Sequence, residues 1–148
     1  MAQPKTFTGS KILIMVGDGA TPEVFAHPCL INASRSFQLS ATTVDSVVPD
    51  CDDMEAPAWT EREKDAISAT VTGEGVMDAD SLEEYLTWVT EAASRNCKIV
   101  IADGQAAGQT LTGKFHLTEF QNSGDRKAKT ESSITLMSDG PLVISANA

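Results

Sequence analysis

Residues 80–95 read DSLEEYLTWVTEAASR, and they form the one stretch of the chain with a sustained helical rhythm. Apolar residues recur at spacings of three and four and fall on one helical face, while glutamates and small polar residues fall on the other. The apolar set is Leu82, Tyr85, Leu86, Val89, Ala92 and Ala93. Asp80 is placed to accept the free N–H groups of the first turn, and Glu83 completes a capping-box pattern. We therefore predict an amphipathic helix over 80–95 that is covered on one face.

Segments with the twofold alternation of β-strands lie on both sides of this helix. Residues 65–76 alternate apolar or small side chains with polar ones, and residues 109–121 repeat the pattern over a longer run. Residues 98–102 read KIVIA, which is typical of a fully buried strand. The other predicted strands are residues 11–16, 24–31, 35–42, 130–137 and 142–145. This order favours one helix laid on an antiparallel sheet or sandwich.

Two segments show neither the helical period nor the twofold alternation of a strand. Residues 1–10 form a polar N-terminal arm, and residues 43–64 combine two prolines with the acidic run at 50–53. A loop of about twenty residues inside a compact domain is uncommon and is usually either functional or disordered. Trp59 lies in this loop, just before alternating charges at 61–64. We expect the loop to dock on another surface.

The length and the net charge bound the possible functions. A chain of 148 residues suits a single domain with its own core, here residues 1–148. Its apolar runs are much shorter than the roughly 18 residues of a membrane span. The net charge of -10 argues against gripping nucleic acid phosphates, which requires clustered Lys and Arg. No signal-peptide pattern opens the sequence, so we expect synthesis in the cytoplasm.

The charges are distributed unevenly along the chain. Between residues 45 and 91 acids far outnumber the two bases, Arg62 and Lys64. Between residues 95 and 129 the bases outnumber the acids; they are Arg95, Lys98, Lys114, Arg126, Lys127 and Lys129. Complementary surfaces of this kind suit head-to-tail self-association. The alternative is that both regions are solvated faces with no partner.

Motifs for catalysis and nucleotide binding are weak. Residues 108–114 read GQTLTGK, but Phe115 stands where a phosphate-binding loop needs Ser or Thr, and a strand pattern follows where a helix is required. His27 and His116 are the two histidines, and no nucleophile motif surrounds any serine. We predict no catalytic residues and no cofactor.

A metal site has little support. His27, Cys29 and Cys51 are weak candidate ligands, without a CxxC pair or a close second histidine. The acidic turn Asp50, Asp52 and Asp53 lacks the glycine and distal glutamate of a calcium loop. Reduced thiols are the expectation for the cysteines, and pairing of Cys29 with Cys51 stays open.

Several segments, in this order, carry a resemblance to a known family: SATVTGEGV at 68–76, GKFHLTEF at 113–120 and LMSDGPLV at 136–143. Together with the helix and the buried strand between them, they look like the tail tube (major tail) proteins of long-tailed phages. The sequence is most similar to the versions in alphaproteobacterial prophages and gene transfer agents, where segments like FAHPC at 25–29 and VPDCDD at 48–53 also occur. The resemblance covers nearly the whole chain.

The resemblance implies a β-sandwich or partial barrel with one flanking helix, mainly β in an α+β arrangement. It implies hexameric rings that stack head to tail into a tube, a virion structural protein and a conduit for DNA. The implied partners are further copies of the chain, a tape measure protein in the lumen, and tail terminator and distal tail proteins at the ends. No enzyme activity, cofactor or membrane insertion is implied, and the product is assembled into a particle tail.

The resemblance also implies roles for particular residues. The arm 1–10 and the loop 43–64 are expected to reach the adjacent ring, with Trp59 as a buried anchor and Arg62 as a pairing charge. The expected assembly interface comprises Asp50, Asp52, Asp53, Trp59, Arg62, Arg126 and Lys127. The polar face with Thr112, Lys114, His116 and Thr118 is a candidate for the lumen or for a contact between subunits.

Three other classes of protein remain open at this point. A tube or ring protein of a contractile injection or secretion apparatus would share the fold. A monomeric β-sandwich that binds a carbohydrate or another ligand would show exposed aromatics, and the chain has two Trp and one Tyr. An enzyme with a spatially assembled site would need His27 or His116 beside a nucleophile.

Overall fold

The computed structural model of the protein describes residues 2–17, 25–26, 33–105 and 107–147. These residues contain one α-helix, and the strands form an eight-stranded antiparallel sheet, as the sequence predicts. In chain order the elements are β1 (Leu13–Gly17), β2 (Phe25–Ala26), β3 (Ser34–Val47), β4 (Thr60–Val76), α1 (Leu82–Thr90), β5 (Arg95–Ile101), β6 (Gln109–Ser123), β7 (Glu131–Ser138) and β8 (Val143–Ala146).

The sheet is open but strongly curved. Its strands follow the order β2-β1-β5-β6-β7-β4-β3, and β8 pairs with the first residues of β6. The Arg35 guanidinium of β3 donates a hydrogen bond of 3.0 Å to the Ile12 carbonyl, next to β1. Because β1 and β3 lie far apart in the strand order, this contact requires the sheet to curl. The fold is therefore a partial barrel, not a flat sheet.

The core lies between the concave face of this sheet and α1. The alternation predicted for β6 is confirmed, because Leu111, Phe115 and Leu117 are buried. From α1, Tyr85 stacks on Phe120 of β6 with ring centroids 6.1 Å apart. The cluster of buried residues is Ile14, Ala69, Val71, Tyr85, Trp88, Cys97, Ile99, Leu111, Phe115, Leu117, Ile134 and Leu136.

The helix differs from its predicted extent and face. It begins at Leu82, after a short 3-10 turn at Ala79–Ser81, and it ends at Thr90. Trp88 is 1% exposed, whereas Leu86, which the pattern placed on the covered face, is 46% exposed. The bulky pair Tyr85 and Trp88, three residues apart, sets the buried face because these rings bury more apolar area than any aliphatic alternative.

The capping residue is also different. The Asp78 carboxylate accepts hydrogen bonds from the Asp80 backbone N–H at 3.2 Å and from the Ser81 hydroxyl at 2.9 Å. This carboxylate caps the 3-10 turn, whereas the N-cap residue of α1 is Ser81, whose side chain makes no capping hydrogen bond. The prediction of Asp80 as the cap of the helix is therefore wrong. At the other end Arg95 belongs to β5, and it pairs with Glu84 at 3.1 Å and Glu91 at 3.0 Å.

The segment 43–64 is not the continuous loop that the sequence predicts. Its flanks belong to β3 and β4, which pair from Ser34 with Glu74 to Val47 with Thr60. Only residues 48–59 lie outside the strands. The flanking residues 43–47 and 60–68 are exposed on both faces, so burial imposes no apolar alternation on them. The strand predicted over 24–31 lies mostly outside the described residues.

Candidate functional site

The β3–β4 hairpin projects from the rest of the sheet. β4 is 17 residues long, but it pairs with β7 only from Thr70 to Val76. Its first half pairs with β3 alone among the strands of the described chain. At about 3.3 Å per residue, the hairpin extends about 30 Å beyond the body of the sheet. Within the described residues no second layer covers this part of the hairpin, so its faces are open to contact by a partner.

The hairpin tip, residues 48–59, is acidic and carries a large exposed aromatic ring. The carboxylates of Asp50 and Asp53 accept hydrogen bonds from the backbone N–H groups of Asp52 and Glu55, so short local turns order the acidic run. Trp59 is 91% exposed. Exposing a tryptophan to this extent costs the monomer apolar burial, which a partner surface can restore.

Arg62 lies on the stem of the hairpin. Its Nε is 3.1 Å from Asp45 Oδ1, and these two residues are directly opposite each other on β4 and β3. Both side chains are more than half exposed, at 70% and 51%. An exposed pair of this kind contributes about 0–1 kcal/mol. Arg62 is therefore able to exchange Asp45 for another carboxylate at small cost.

A basic turn lies at the opposite end of β4. Residues 124–130 connect β6 to β7, and Glu131, which follows the turn, pairs with Val76 at the end of β4. Arg126 and Lys127, predicted at the assembly interface, are exposed in this turn. Along β4 the acidic tip and the basic turn are about 50 Å apart. The structure thus places an acidic hairpin tip near one end of β4 and a basic turn near the other.

The face of the sheet that points away from the core is polar. Register places its residues in three rows across β3, β4, β7 and β6: Ser34, Glu74, Ser133 and Gln121; Ser36, Thr72, Thr135 and Glu119; Gln38, Thr70, Met137 and His116. Six of these twelve residues are Ser or Thr, and the Ser36 and Thr72 hydroxyls hydrogen-bond to each other. The α1 helix covers the other face, so this one is free to line a channel or meet a partner.

The predicted polar face of β6 is part of this surface. Lys114 and Thr118 are exposed, and His116 Nε2 lies 3.2 Å from Asp139 Oδ2. A bulge at Thr118, whose hydroxyl donates to the Thr135 carbonyl, interrupts the register between Leu117 and Glu119. Beyond it Glu119 takes up the polar face, which adds a negative charge that the simple alternation did not predict.

Two strand edges of this four-stranded part are open. No strand in the described parts of the chain pairs with the outer edge of β3 at residues 37–47, or with the free edge of β6 at residues 116–123. Long unpaired edges are templates for pairing with another chain. They lie on opposite sides of the same small sheet, an arrangement suited to side-by-side repetition.

Sequence reasoning missed a cleft at the base of the molecule, beside the basic turn. It has a volume of about 340 Å³, and Glu74, Val76, Ser123 and Glu131 are among its lining residues. These residues come together only through the register of β4, β7 and β6. Since each belongs to an ordinary strand pattern, no local motif could have indicated the cleft.

Neither a metal-binding cluster nor a membrane-spanning helix is found in the described residues. No group of three His, Cys, Asp or Glu side chains gathers there in a way that could hold a metal ion. Cys51 is exposed at the hairpin tip, whereas His27 and Cys29 lie outside the residues described. In the same parts of the chain, no helix is long and apolar enough to cross a membrane.

A single-helix antiparallel sheet with a projecting hairpin, open edges and two charged ends defines a structural subunit for repeated assembly. A sequence model of the phage tail tube protein matches residues 6–144. The chain therefore belongs to the phage tail tube protein family, and it is a structural protein of a tail tube. No curated protein sequence matches the chain significantly.

Solved structures share the fold over almost the whole chain. One is a chain from the virion of a native gene transfer agent particle, with 21% identity, a TM-score of 0.74, and 95% of this chain and 100% of that chain covered. A chain from the tail of an empty gene transfer agent particle has 22% identity, a TM-score of 0.75 and the same coverage. A chain from the sheath/tube terminator of the PVC contractile injection system has 15% identity, a TM-score of 0.65, and 98% and 100% coverage.

Proposed function

We propose that this protein forms the tail tube of a phage or gene transfer agent particle as stacked hexameric rings, and that the tube conducts DNA into a host cell. The proposal gives it no enzymatic activity and no cofactor. The observation that carries it is the projecting β3–β4 hairpin, whose acidic tip with exposed Trp59 lies at the opposite end of the body from the basic turn. Such a subunit is incomplete without neighbours.

Ring closure follows from the two open edges. The edge of β3 at residues 37–47 pairs with the free edge of β6 at residues 116–123 in the next copy, so that the four-stranded sheets join into one wall. Six copies would give roughly 24 strands, more than the 16–18 strands of barrels that already leave an aqueous channel. Pairing also removes the long edges that would otherwise promote aggregation.

The polar face lines the lumen in this arrangement. The helix covers the opposite face and therefore points outward. Hydroxyl and amide groups dominate the rows on the polar face, and Glu119 supplies negative charge. The Asp139 carboxylate lies 3.2 Å from His116 Nε2, so it places an anionic group beside the imidazole. Such a surface offers phosphates few cationic contacts, so DNA slides past it without being held.

The stacking of rings uses the two charged ends. The acidic tip, with Asp50, Asp52 and Asp53, meets Arg126 and Lys127 in the turn of a copy in the next ring. A contact between two different surfaces of the same chain repeats without closing on itself, which produces a filament. The arm 1–10, mostly described and exposed, extends the same contact.

Other partners follow from the position of the protein in the tail. A tape measure protein would occupy the lumen before DNA passes, and tail terminator and distal tail proteins would bind the two ends of the tube. The chain would be made in the bacterial cytoplasm and assembled there into the particle. Terminators are named among the structural relatives, as in the PVC sheath/tube terminator and the anti-feeding prophage cap.

A tube protein of a contractile injection apparatus is the second candidate function. It is favoured by the similarity to a chain from the PVC sheath-tube complex in the extended state, with 15% identity and a TM-score of 0.55. In that case a sheath would cover the outward face of α1. A tube that forms and remains stable without a sheath distinguishes the first function from the second.

Negative-stain electron microscopy with sedimentation over a concentration series tests the proposal. We expect rings or hollow tubes of uniform width for the parent protein, and for a Glu83→Ala control on the outward face of α1. Trp59→Ala should remain folded and lose tubes. A parent protein that sediments as a monomer at every concentration would refute the proposed assembly.

A further inference from the structure

The hairpin tip needs a receiving surface for Trp59, and this surface must belong to another copy. β4 is paired with β3 from Thr60 to Glu74, so the hairpin is a continuous two-stranded ribbon that projects away from its own body. The cleft beside the basic turn is about 50 Å from Trp59 along β4. Within one copy, therefore, the indole of Trp59 cannot reach the cleft.

We propose that Trp59 and Arg62 of one copy dock in the cleft beside the basic turn of a second copy, the cleft lined by Glu74, Val76, Ser123 and Glu131. This inference rests on the proposed function and names the partner surface of its hairpin. The cleft has a volume of about 340 Å³, and its lining is divided between apolar groups, such as Val76, and polar ones. A tryptophan side chain has the same mixed character, with an apolar body and one N–H donor.

Charge supports this occupant at two separate points. Glu74 and Glu131 place two carboxylates in the cleft, where they can accept from the indole N–H of Trp59 and pair with Arg62. The turn at 124–130 follows directly from Ser123, a lining residue, so its bases lie at the rim and meet the acidic run 50–53 of the same tip. The charges are thus complementary at both points. At the centre, Arg62 of the tip faces the carboxylates of the cleft, and at the rim, the acidic run of the tip faces the bases of the turn.

A competing receptor exists, and it makes the inference testable. Where β4 leaves β7, an apolar groove of about 330 Å³ opens between the hairpin and β8, with Ile67, Leu142 and Ile144 in its lining. It offers a tryptophan apolar contact but no acidic group for Arg62. In a head-to-tail stack it also lies on the end of the body from which the hairpin projects, away from the incoming tip.

Photo-crosslinking from position 59 separates the two receptors. The probe is p-benzoylphenylalanine in place of Trp59, co-assembled as a minority component with the parent protein, followed by digestion and mass spectrometry. We expect links between copies to peptides containing residues 74–76 or 131–133. Links to residues 67–69 or 140–144, or tubes that contain the probe protein without links at the cleft, would overturn the inference.

A charge exchange supplies the second measurement. Arg62→Glu should raise the critical concentration for assembly by roughly tenfold, and adding Glu131→Arg should restore most of it. The matched control is Glu83→Arg, an exposed glutamate on the outward face of α1, which should not restore assembly. Equal rescue by both arginines would contradict docking in the cleft. If the parent protein formed no tubes, the proposed function would fail instead.

Discussion

At the residue scale, the two tryptophans show how differently one residue type is used. Trp88 is 1% exposed under α1, and the Arg95 guanidinium lies 5.2 Å from its ring centroid. Its indole N–H finds no hydrogen-bond partner among the described residues. Trp59, in contrast, is 91% exposed. Trp88 therefore contributes to folding, and Trp59 is available for assembly.

We predict that Trp88→Ala lowers the free energy of unfolding by about 3–5 kcal/mol, because it leaves a large cavity under the helix. Trp59→Ala should change it by less than about 0.5 kcal/mol, as expected at an exposed position. The measurement is urea denaturation at protein concentrations where sedimentation shows a single unassembled species. A strong loss of stability for Trp59→Ala would mean that the ring is packed within its own subunit.

The sequence predicted the burial of some core residues correctly and missed others. Alternation in β6 correctly identified Leu111, Phe115 and Leu117 as one face, because a strand has a period of two regardless of its neighbours. The burial of Trp88 was missed. A nine-residue helix has several faces that are partly apolar, and the sheet that it meets decides which one is covered.

At the element scale, the start of the helix provides a matched pair of substitutions. We predict that Asp78→Ala lowers the free energy of unfolding by about 1 kcal/mol, since its carboxylate caps the backbone N–H of Asp80 and accepts from Ser81. Asp80→Ala removes the same charge from the same turn without removing that cap. It should cost less than half as much in the same denaturation experiment. The reverse order would place the cap at Asp80 after all.

The hairpin shows what pattern reasoning cannot predict about an element. Hydrophobic alternation reports burial on one face of a strand, and residues 43–47 and 60–68 are exposed on both. Their pairing is instead held by backbone hydrogen bonds, with a bulge between Thr42 and Thr43. A strand that is exposed on both faces in its own subunit therefore looks like a loop in the sequence.

At the scale of the whole molecule, the register of the strands determines where the acidic and basic segments of the sequence lie in the subunit. The acidic run 50–53 and the basic turn 124–130 are separated in the chain, but nothing in the sequence shows that β4 sets them at opposite ends. The pairing of Val76 with Glu131 and of Val47 with Thr60 shows this. The position of each charge relative to the stacking direction is thus a property of the sheet and not of composition.

The last prediction concerns the attraction between these ends. Asp52→Lys with Asp53→Lys places like charges opposite Arg126 and Lys127, so it should raise the critical concentration for tube assembly by roughly tenfold or more. Arg126→Glu with Lys127→Glu should do the same alone, and the two pairs combined should recover assembly, because attraction is restored with its sign exchanged.

Raising the ionic strength should weaken assembly of the parent and of the exchanged protein alike, since it screens exposed charges. Glu83→Lys with Asp103→Lys, at exposed positions outside the hairpin tip and the basic turn, changes the net charge as much as the aspartate pair does and controls for that effect. Pelleting assays across a salt series measure all five proteins, and failure of the combined variant to recover would show that the ends do not meet.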